Sequence, residues 1–142
     1  MTSNTPKLPL FSALMIAALF LANFISPSAA GRTATLPLTG HTATQLLDGR
    51  ILAAGGDGAN TRIFMPGSLQ PLPGPAMGAA RRQHTATLLG DGELLVVGGL
   101  DAGEMAQASV ERFDPVVNRW HSAASMYAAR AQHTATLLGD GE

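Results

Sequence analysis

The sequence predicts an all-β protein in which short antiparallel strands form repeated four-stranded sheets. Three observations support this fold class. A phrase that begins with histidine occurs three times, at His41, His84 and His133. Each complete copy of the phrase has the pattern of a β hairpin. Finally, the 142 residues include 16 Gly and 9 Pro, which are unfavourable inside helices and strands but common in tight turns.

Residues 1–30 have the pattern of a secretory signal peptide. An apolar run, residues 8–25, follows Lys7 and predicts a signal helix. Ser28 and Ala30 are small residues at the spacing that a signal peptidase recognises, so we expect cleavage between Ala30 and Gly31. The protein would then be secreted or periplasmic, with no membrane partner after cleavage. The alternative is an uncleaved N-terminal helix that anchors the protein in a membrane. The apolar run of residues 8–25 comes close to the length of about 20 apolar residues that a membrane span needs.

The three copies of the phrase define repeats of similar length. The copies read HTATQLLDGRILAAGG from His41, HTATLLGDGELLVVGG from His84 and HTATLLGDGE from His133, and the last two are identical over the ten residues that they share. Phe64 corresponds to Phe113, and residues 77–84 correspond to residues 126–133. The first repeat is shorter because its loop between the double glycine and the phenylalanine is shorter. Loops vary in length while strands keep their spacing, as expected of a repeat protein.

This repetition predicts the organisation of the chain. Residues 31–40 form an N-terminal segment in which 33–36 favour a β strand, a candidate for a strand that closes a ring. The first repeat spans residues 41–83 and the second spans residues 84–132. Residues 133–142 begin a third repeat and correspond to its first strand. These boundaries follow from the positions of the three repeated histidines.

Each repeat predicts four strands. The residues after the histidine form a first strand, Asp-Gly forms a type I′ turn, and an apolar second strand ends at Gly55-Gly56 or Gly98-Gly99, where a side chain would crowd the neighbouring backbone. In the second repeat, a third strand is expected at about 109–114, and a fourth from Trp120 to near residue 126. Four short strands in each repeat of this length predict one blade of a β-propeller per repeat.

The second repeat resembles the kelch repeat, which has a double glycine, a variable loop, an aromatic residue, six further residues and a tryptophan. The matching residues are Gly98, Gly99, Phe113 and Trp120. In the first repeat Gly55, Gly56 and Phe64 match, but Pro71 replaces the tryptophan. The resemblance implies a kelch-type β-propeller and transfers no site residue. It covers two blades and the first strand of a third.

A propeller of this kind has about 4 to 8 blades, because closing the ring protects the edges of its sheets. Two blades and one strand are too few to close it. We therefore expect the sequence to be the N-terminal fragment of a longer secreted protein. The alternative is that several copies of the chain assemble into one ring.

Several residues are candidates for chemistry or for a repeated structural role. His41, His84 and His133 recur once per blade, so we predict that their imidazoles bond to nearby backbone rather than to a metal. Arg81 and Arg130 also recur. They either line a central channel and face an anionic sugar or carboxylate, or tie neighbouring blades together. We favour the second role. No catalytic, cofactor-binding or metal-binding residue is predicted.

These observations favour a binding module for an unknown protein or glycan. A net charge of −1 indicates no nucleic-acid partner. The alternative is a carbohydrate-active propeller enzyme of the sugar oxidase or sialic-acid epimerase type, with its active site mostly in other blades. The kelch-like oxidases need a cysteine cross-linked to a tyrosine, and this chain has Tyr127 but no cysteine, which argues against the oxidase. We favour the binding module because it needs no catalytic residue and none is evident in the sequence.

Overall fold

The computed structural model of the protein describes residues 39–56 and 58–139. They form two four-stranded antiparallel sheets, in which the strands are adjacent in chain order. The strands of the first sheet are β1 (Thr42–Gln45), β2 (Ile51–Ala54), β3 (Thr61–Phe64) and β4 (Pro71–Pro73). Those of the second sheet are β5 (Thr85–Leu88), β6 (Leu94–Val97), β7 (Val110–Asp114) and β8 (Arg119–Ala123).

The all-β class with four strands per repeat is confirmed. The predicted signal helix and the β-favouring run at 33–36 lie outside the described residues. Across the described part of the chain, no helix is long and apolar enough to cross a membrane.

The two sheets are built in the same register. Thr42 pairs with Ala54 in the first sheet, as Thr85 pairs with Val97 in the second. The outer hairpins also correspond, because Phe64 lies opposite Pro71 and Phe113 lies opposite Trp120. The structure therefore places Pro71 in the position that tryptophan occupies in the second sheet.

The turns that contain Asp48-Gly49 and Asp91-Gly92 are not type I′ turns, and that prediction was wrong. Only the glycines of these pairs have positive φ, 86° for Gly49 and 89° for Gly92. The Gly49 N–H donates to the Leu46 carbonyl, and the Leu46 N–H donates to the Arg50 carbonyl. Three residues therefore separate the hydrogen-bonded pair, one more than a type I′ hairpin has, and the glycine alone takes the left-handed conformation. The aspartate instead accepts a hydrogen bond from the N–H two residues later.

Two predicted strands differ from the structure. The fourth strand of the second repeat ends at Ala123 rather than near Met126, because the Met126 N–H leaves the sheet and donates to the Ala108 carbonyl. Residues 134–137, which correspond to β1 and β5, are not a strand. In the first two repeats this segment pairs with the apolar second strand of its own repeat, and no such partner is present among the described residues.

The core lies between the two sheets. One face of the first sheet packs against a face of the second sheet, and their apolar side chains form one buried cluster. Met77, which follows the first sheet in the sequence, also belongs to this cluster. The buried members are Leu46, Leu52, Ala54, Ile63, Met77, Leu94, Val96, Phe113 and Trp120. Burying a large apolar side chain contributes about 1.5–3 kcal/mol, so this cluster is the main stabilising contact between the sheets.

Candidate functional site

Two linkers leave the sheets in the same way. We call residues 77–84 the first linker and residues 126–133 the second linker. The Gly56 N–H donates to the Arg81 carbonyl at 3.0 Å, and the Gly99 N–H donates to the Arg130 carbonyl at 2.9 Å. Each double glycine thus holds the linker that follows its own sheet.

Close approach requires glycine at these positions. A Cβ on Gly55 would lie 2.4 Å from the Arg81 carbonyl oxygen and 2.8 Å from the His84 ring. A Cβ on Gly98 would lie 2.5 Å from the Arg130 carbonyl oxygen. Both glycines also have positive φ, 74° and 62°. The double glycine therefore allows a linker to pack directly on the end of the second strand.

The repeated histidines join the first strands of neighbouring repeats. His84 Nε2 lies 2.8 Å from the Thr42 hydroxyl, and His133 Nε2 lies 3.2 Å from the Thr85 hydroxyl. Each of these two imidazoles therefore bonds to a threonine side chain rather than to the backbone that we predicted. Each threonine directly follows the repeated histidine of its own repeat. The same histidine–threonine hydrogen bond therefore links the first repeat to the second and the second to the third.

The environment of His84 favours its neutral form. Burial lowers the pKa of His84 from 6.5 to about 4, and the positive charge of Arg81 acts in the same direction. The Nδ1 atom of this buried ring has no hydrogen-bond partner. A proton on His84 would therefore be poorly solvated, and the side chain acts as a structural link at neutral pH.

Arg81 is the most deeply buried charged residue of the interface between the sheets. It is 2% exposed, and its guanidinium donates to the Gly98 carbonyl at 2.9 Å, to the Ser109 carbonyl at 3.1 Å and to Glu111 Oε1 at 2.6 Å. Every one of these partners belongs to the second repeat. The structure therefore places the Arg81 guanidinium between the two repeats.

Glu111 receives further hydrogen bonds from the first linker. The Gly78 N–H donates to its Oε2 at 2.6 Å, and the Ala79 N–H donates to its Oε1 at 3.1 Å. Burying a carboxylate is costly unless it is paired and hydrogen-bonded. The one guanidinium and two amides provide both conditions, so Glu111 fixes the linker against the second sheet.

Arg130 occupies the corresponding place in the second linker but has a different environment. It is exposed, and its Nε donates to the Ala128 carbonyl at 3.4 Å. The sequence predicted one role for both arginines. The structure separates them, since only Arg81 has a sheet packed against it.

The aromatic residues also belong to the interface. The rings of Phe113 and Trp120 are 5.2 Å apart and inclined at 46°. Trp120 is 8% exposed, and its indole N–H donates to the Pro75 carbonyl at 2.9 Å. Phe64 is half-buried opposite Pro71. The packed face of Trp120 is thus unavailable for stacking on a sugar ring.

A polar cleft of about 260 Å³ opens where the loop after each double glycine meets the first linker. Its walls include Gly56, Arg82, Leu100 and Asp101. The Arg82 and Leu100 backbones bond to each other in both directions, at 2.9 and 2.8 Å. These bonds hold the loop of the second repeat against the first linker, so the cleft has a rigid base.

Charged side chains lie at the rim of this cleft. Arg82 Nη2 lies 2.6 Å from Glu104 Oε1, in a partly exposed ion pair. Asp101 Oδ1 accepts from the Gly103 and Met105 N–H groups at 2.8 and 2.9 Å. Sequence analysis did not select Arg82, because Ala131 occupies the corresponding position of the next linker and the arginine therefore does not recur. The only available indication that Arg82 could have a functional role was its position beside a variable loop.

Residues 81–127 match the family described as the Kelch motif. The match starts at Arg81 and includes the double glycine, Phe113 and Trp120 that form the interface. Residues 81–127 are a kelch motif. In the kelch motif of this chain, Arg81 and Glu111, which form the buried ion pair, both lie within the matched segment.

Two solved structures show the same fold. The structure of YjhT is 21% identical, covers 68% of this chain and 30% of its own, and has a TM-score of 0.56. A fungal alcohol oxidase of the AA5 family, in complex with copper, is 23% identical, covers 59% of this chain and 18% of its own, and has a TM-score of 0.51. This chain therefore spans less than a third of the length of each of these structures. No curated protein matches it.

The kelch fold brings most of the predicted residues to one interface. The double glycines, Phe113, Trp120, His84 and Arg81 all contact a neighbouring repeat or linker. Among residues 39–56 and 58–139, no three His, Cys, Asp or Glu side chains are grouped in a way that could hold a metal ion. The polar cleft is a place in the described part of the chain where charged side chains meet a concave surface.

Proposed function

We propose that this chain is part of a secreted kelch-type propeller that acts as a binding module and not as an enzyme. The observation that carries the proposal is the polar cleft beside Arg82. It is concave, its base is held by paired backbone hydrogen bonds, and its rim comes from the variable loop of the second repeat. Loops placed on a rigid scaffold are where binding residues are usually found.

The size and polarity of the cleft favour a carbohydrate over a protein surface. A cleft of about 260 Å³ is close to the lower end of the roughly 300–1,000 Å³ range of small-molecule sites, whereas a stable protein–protein interface covers a broad surface and buries about 1,200–2,000 Å². A sugar carrying a carboxylate suits the site, because the planar guanidinium of Arg82 binds carboxylates with two parallel hydrogen bonds. Such a ligand would take the place of Glu104, whose exposed carboxylate now pairs with Arg82.

An array of acidic and neutral oligosaccharides, probed with the full chain, tests the proposal. We expect binding to oligosaccharides that end in a carboxylate-bearing sugar and a loss of at least about tenfold in affinity for Arg82→Ala, since a charged hydrogen-bonded pair contributes roughly 1.5–3 kcal/mol. Arg119→Ala is the matched control, because Arg119 is an exposed arginine on β8, away from the cleft.

Either of two results would contradict the proposal. One is an array on which no oligosaccharide binds. The other is binding that Arg82→Ala and Arg119→Ala reduce equally. If no oligosaccharide binds, a protein ligand is the alternative. No particular residue in the described part of the chain supports sugar oxidation or epimerisation.

A further inference from the structure

Unfavourable backbone conformations are concentrated beside the polar cleft. In the described part of the chain, four residues other than glycine have positive φ, and these are Gln83, Glu104, Asn118 and Gln132. Such φ angles are uncommon outside glycine, although asparagine tolerates them in turns. Glu104 lies at the rim of the cleft through its ion pair with Arg82, and Gln83 directly follows Arg82. The two glutamines are the residues whose conformation the cleft itself does not explain.

Both glutamines occupy a position that glycine takes in the first repeat. Gly40, Gln83 and Gln132 each directly precede a repeated histidine, and their φ angles are 77°, 54° and 55°. Glycine adopts this conformation readily, whereas a residue with a Cβ atom is strained in it. The chain therefore keeps a side chain twice at a position where glycine suits the backbone better.

The backbone links between these positions do not need the side chains. The Gln83 N–H donates to the Gly40 carbonyl at 2.7 Å, and the Gln132 N–H donates to the Gln83 carbonyl at 3.0 Å. The same bond therefore joins successive repeats whether the accepting residue is glycine or glutamine. Because the link forms with Gly40, the packing of the repeats does not account for the two amide side chains.

The side chains of Gln83 and Gln132 form what we call the amide row. Gln132 Nε2 donates to Gln83 Oε1 at 2.9 Å, in an exposed hydrogen bond. Each glutamine amide has two N–H donors and a carbonyl with two lone pairs. One hydrogen bond between the two amides uses a single N–H group and a single lone pair, so most donors and acceptors of the row are left for a ligand. Sugar hydroxyls, which both donate and accept, match such a row.

The amide row is continuous with the polar cleft. Gly56 forms part of the cleft wall, and a Cβ on it would lie 3.3 Å from the Thr39 carbonyl oxygen. A Cβ on Gly40 would lie 3.1 Å from the Arg82 Cβ and 3.2 Å from the Gln83 Cγ. Thr39 and Gly40 therefore lie between the cleft wall and the first glutamine of the row. A ligand bound at Arg82 can extend across this short segment to the amides.

We propose that the amide row is a subsite for a neutral sugar that is linked to the carboxylate-bearing sugar in the Arg82 cleft. This inference rests on the proposed function, and it makes the ligand an acidic oligosaccharide of at least two sugars. Uncharged amides pair with hydroxyl groups without the cost of desolvating an ion, which suits a neutral hexose. Strained residues are retained where a ligand is held, and recognition of the second sugar supplies the reason here.

Calorimetric titration of the 142-residue chain tests the subsite. Free glucuronic acid and free galacturonic acid probe the cleft alone, and the same acids linked to glucose probe the cleft together with the amide row. We expect each disaccharide to bind about tenfold more tightly than its free acid, as one or two added hydrogen bonds provide. In the double variant Gln83→Gly, Gln132→Gly this advantage should disappear, and the affinity for the free acids should stay unchanged. The matched control is Gln70→Gly, an exposed glutamine in the turn between β3 and β4, which should keep the advantage.

Thermal unfolding separates recognition from a structural role of the amide row. Gln83→Gly and Gln132→Gly should leave the unfolding midpoint unchanged or raise it by up to about 5 °C, because glycine relieves the unfavourable φ. If the amide row held the repeats together, both variants would instead lower the midpoint. Such a loss would overturn the proposal.

The outcomes distinguish failure of the subsite from failure of the cleft. If Arg82→Ala weakens every probe but the disaccharides have no advantage, or keep it in the double variant, the amide subsite is wrong and the cleft remains a binding site. Loss of the advantage in Gln70→Gly as well would also overturn the subsite. If neither acid binds, free or linked, the subsite fails together with the acidic-sugar ligand on which it rests.

Discussion

The Arg81 guanidinium lies 2.6 Å from the Glu111 carboxylate, and both side chains are almost completely buried, at 0% and 6% exposure. This ion pair joins a linker to the sheet of the following repeat. Because the linker amides of Gly78 and Ala79 also donate to Glu111, the pair is hydrogen-bonded as well as charged. The pair connects the two sheets. Sequence analysis identified Arg81 as a recurring residue but did not identify its partner Glu111.

Arg81→Ala should destabilise the fold by about 3–5 kcal/mol, because it leaves the Glu111 carboxylate buried without its counter-charge. Arg130→Ala should change stability by less than about 0.5 kcal/mol, since Arg130 is exposed. Urea denaturation of both variants measures the difference. Equal losses in the two variants would show that the buried pair is not what distinguishes the linkers.

Stability should fall as the pH is lowered from about 6.5 to 4. The pKa of His84 is about 4 in the fold and 6.5 in the unfolded chain, so the unfolded state binds more protons in this range. The loss due to His84 approaches about 3 kcal/mol at pH 4, since one unit of pKa corresponds to about 1.4 kcal/mol. Above pH 6.5 the contribution of His84 does not change.

Urea denaturation at several pH values checks this dependence. His84→Gln should remove most of the slope between pH 4 and 6.5. Thr42→Val is the control, because it removes the hydroxyl partner of His84 but leaves the ring buried. It should lower stability at every pH and keep the slope. A slope unchanged in His84→Gln would exclude His84 as its source.

Gly55→Ala should be far more destabilising than Gly67→Ala. The two glycines have nearly the same φ, 74° and 77°, so both substitutions cost about 1–2 kcal/mol in backbone conformation. A Cβ on Gly55 would also lie 2.4 Å from the Arg81 carbonyl oxygen, whereas a Cβ on Gly67 meets nothing within 4 Å. We expect an additional loss of about 2 kcal/mol or more for Gly55→Ala. Thermal unfolding of the pair measures it, and matching transitions would refute the close approach.

Trp120→Ala should cost about 3–5 kcal/mol, as truncations of large buried aromatic residues do. Trp120→Phe should cost less, at about 0.5–1.5 kcal/mol for the lost hydrogen bond, because the Pro75 carbonyl loses the indole donor but keeps the Thr61 hydroxyl as a donor. Tyr127→Ala is the control, because Tyr127 is fully exposed. Chemical denaturation followed by circular dichroism compares the three variants. A loss in Tyr127→Ala as large as in Trp120→Ala would contradict the packing.

Trp120 is the chain's only tryptophan, so its fluorescence reports directly on the interface between the sheets. The emission should shift to longer wavelength in the same transition in which circular dichroism is lost. A separate, earlier shift would show that the two sheets part before either unfolds.

The sequence by itself determined the fold class, the repeat and the positions of the two double glycines on which the linkers pack. This information is local, because strand alternation, turn residues and the return of the same phrase are all visible along the chain. The resemblance of Gly98-Gly99, Phe113 and Trp120 to the kelch repeat was also specific enough to be confirmed.

Only the tertiary structure decided what the repeated residues do. Arg81 and Arg130 have the same sequence neighbourhood, yet one is buried in an ion pair and the other is exposed, because a neighbouring sheet covers only the first. The threonine partner of His84 lies one repeat away, and Arg82 borders a cleft formed by two loops. Such contacts depend on how separate repeats pack against each other, and no pattern within one repeat contains that information.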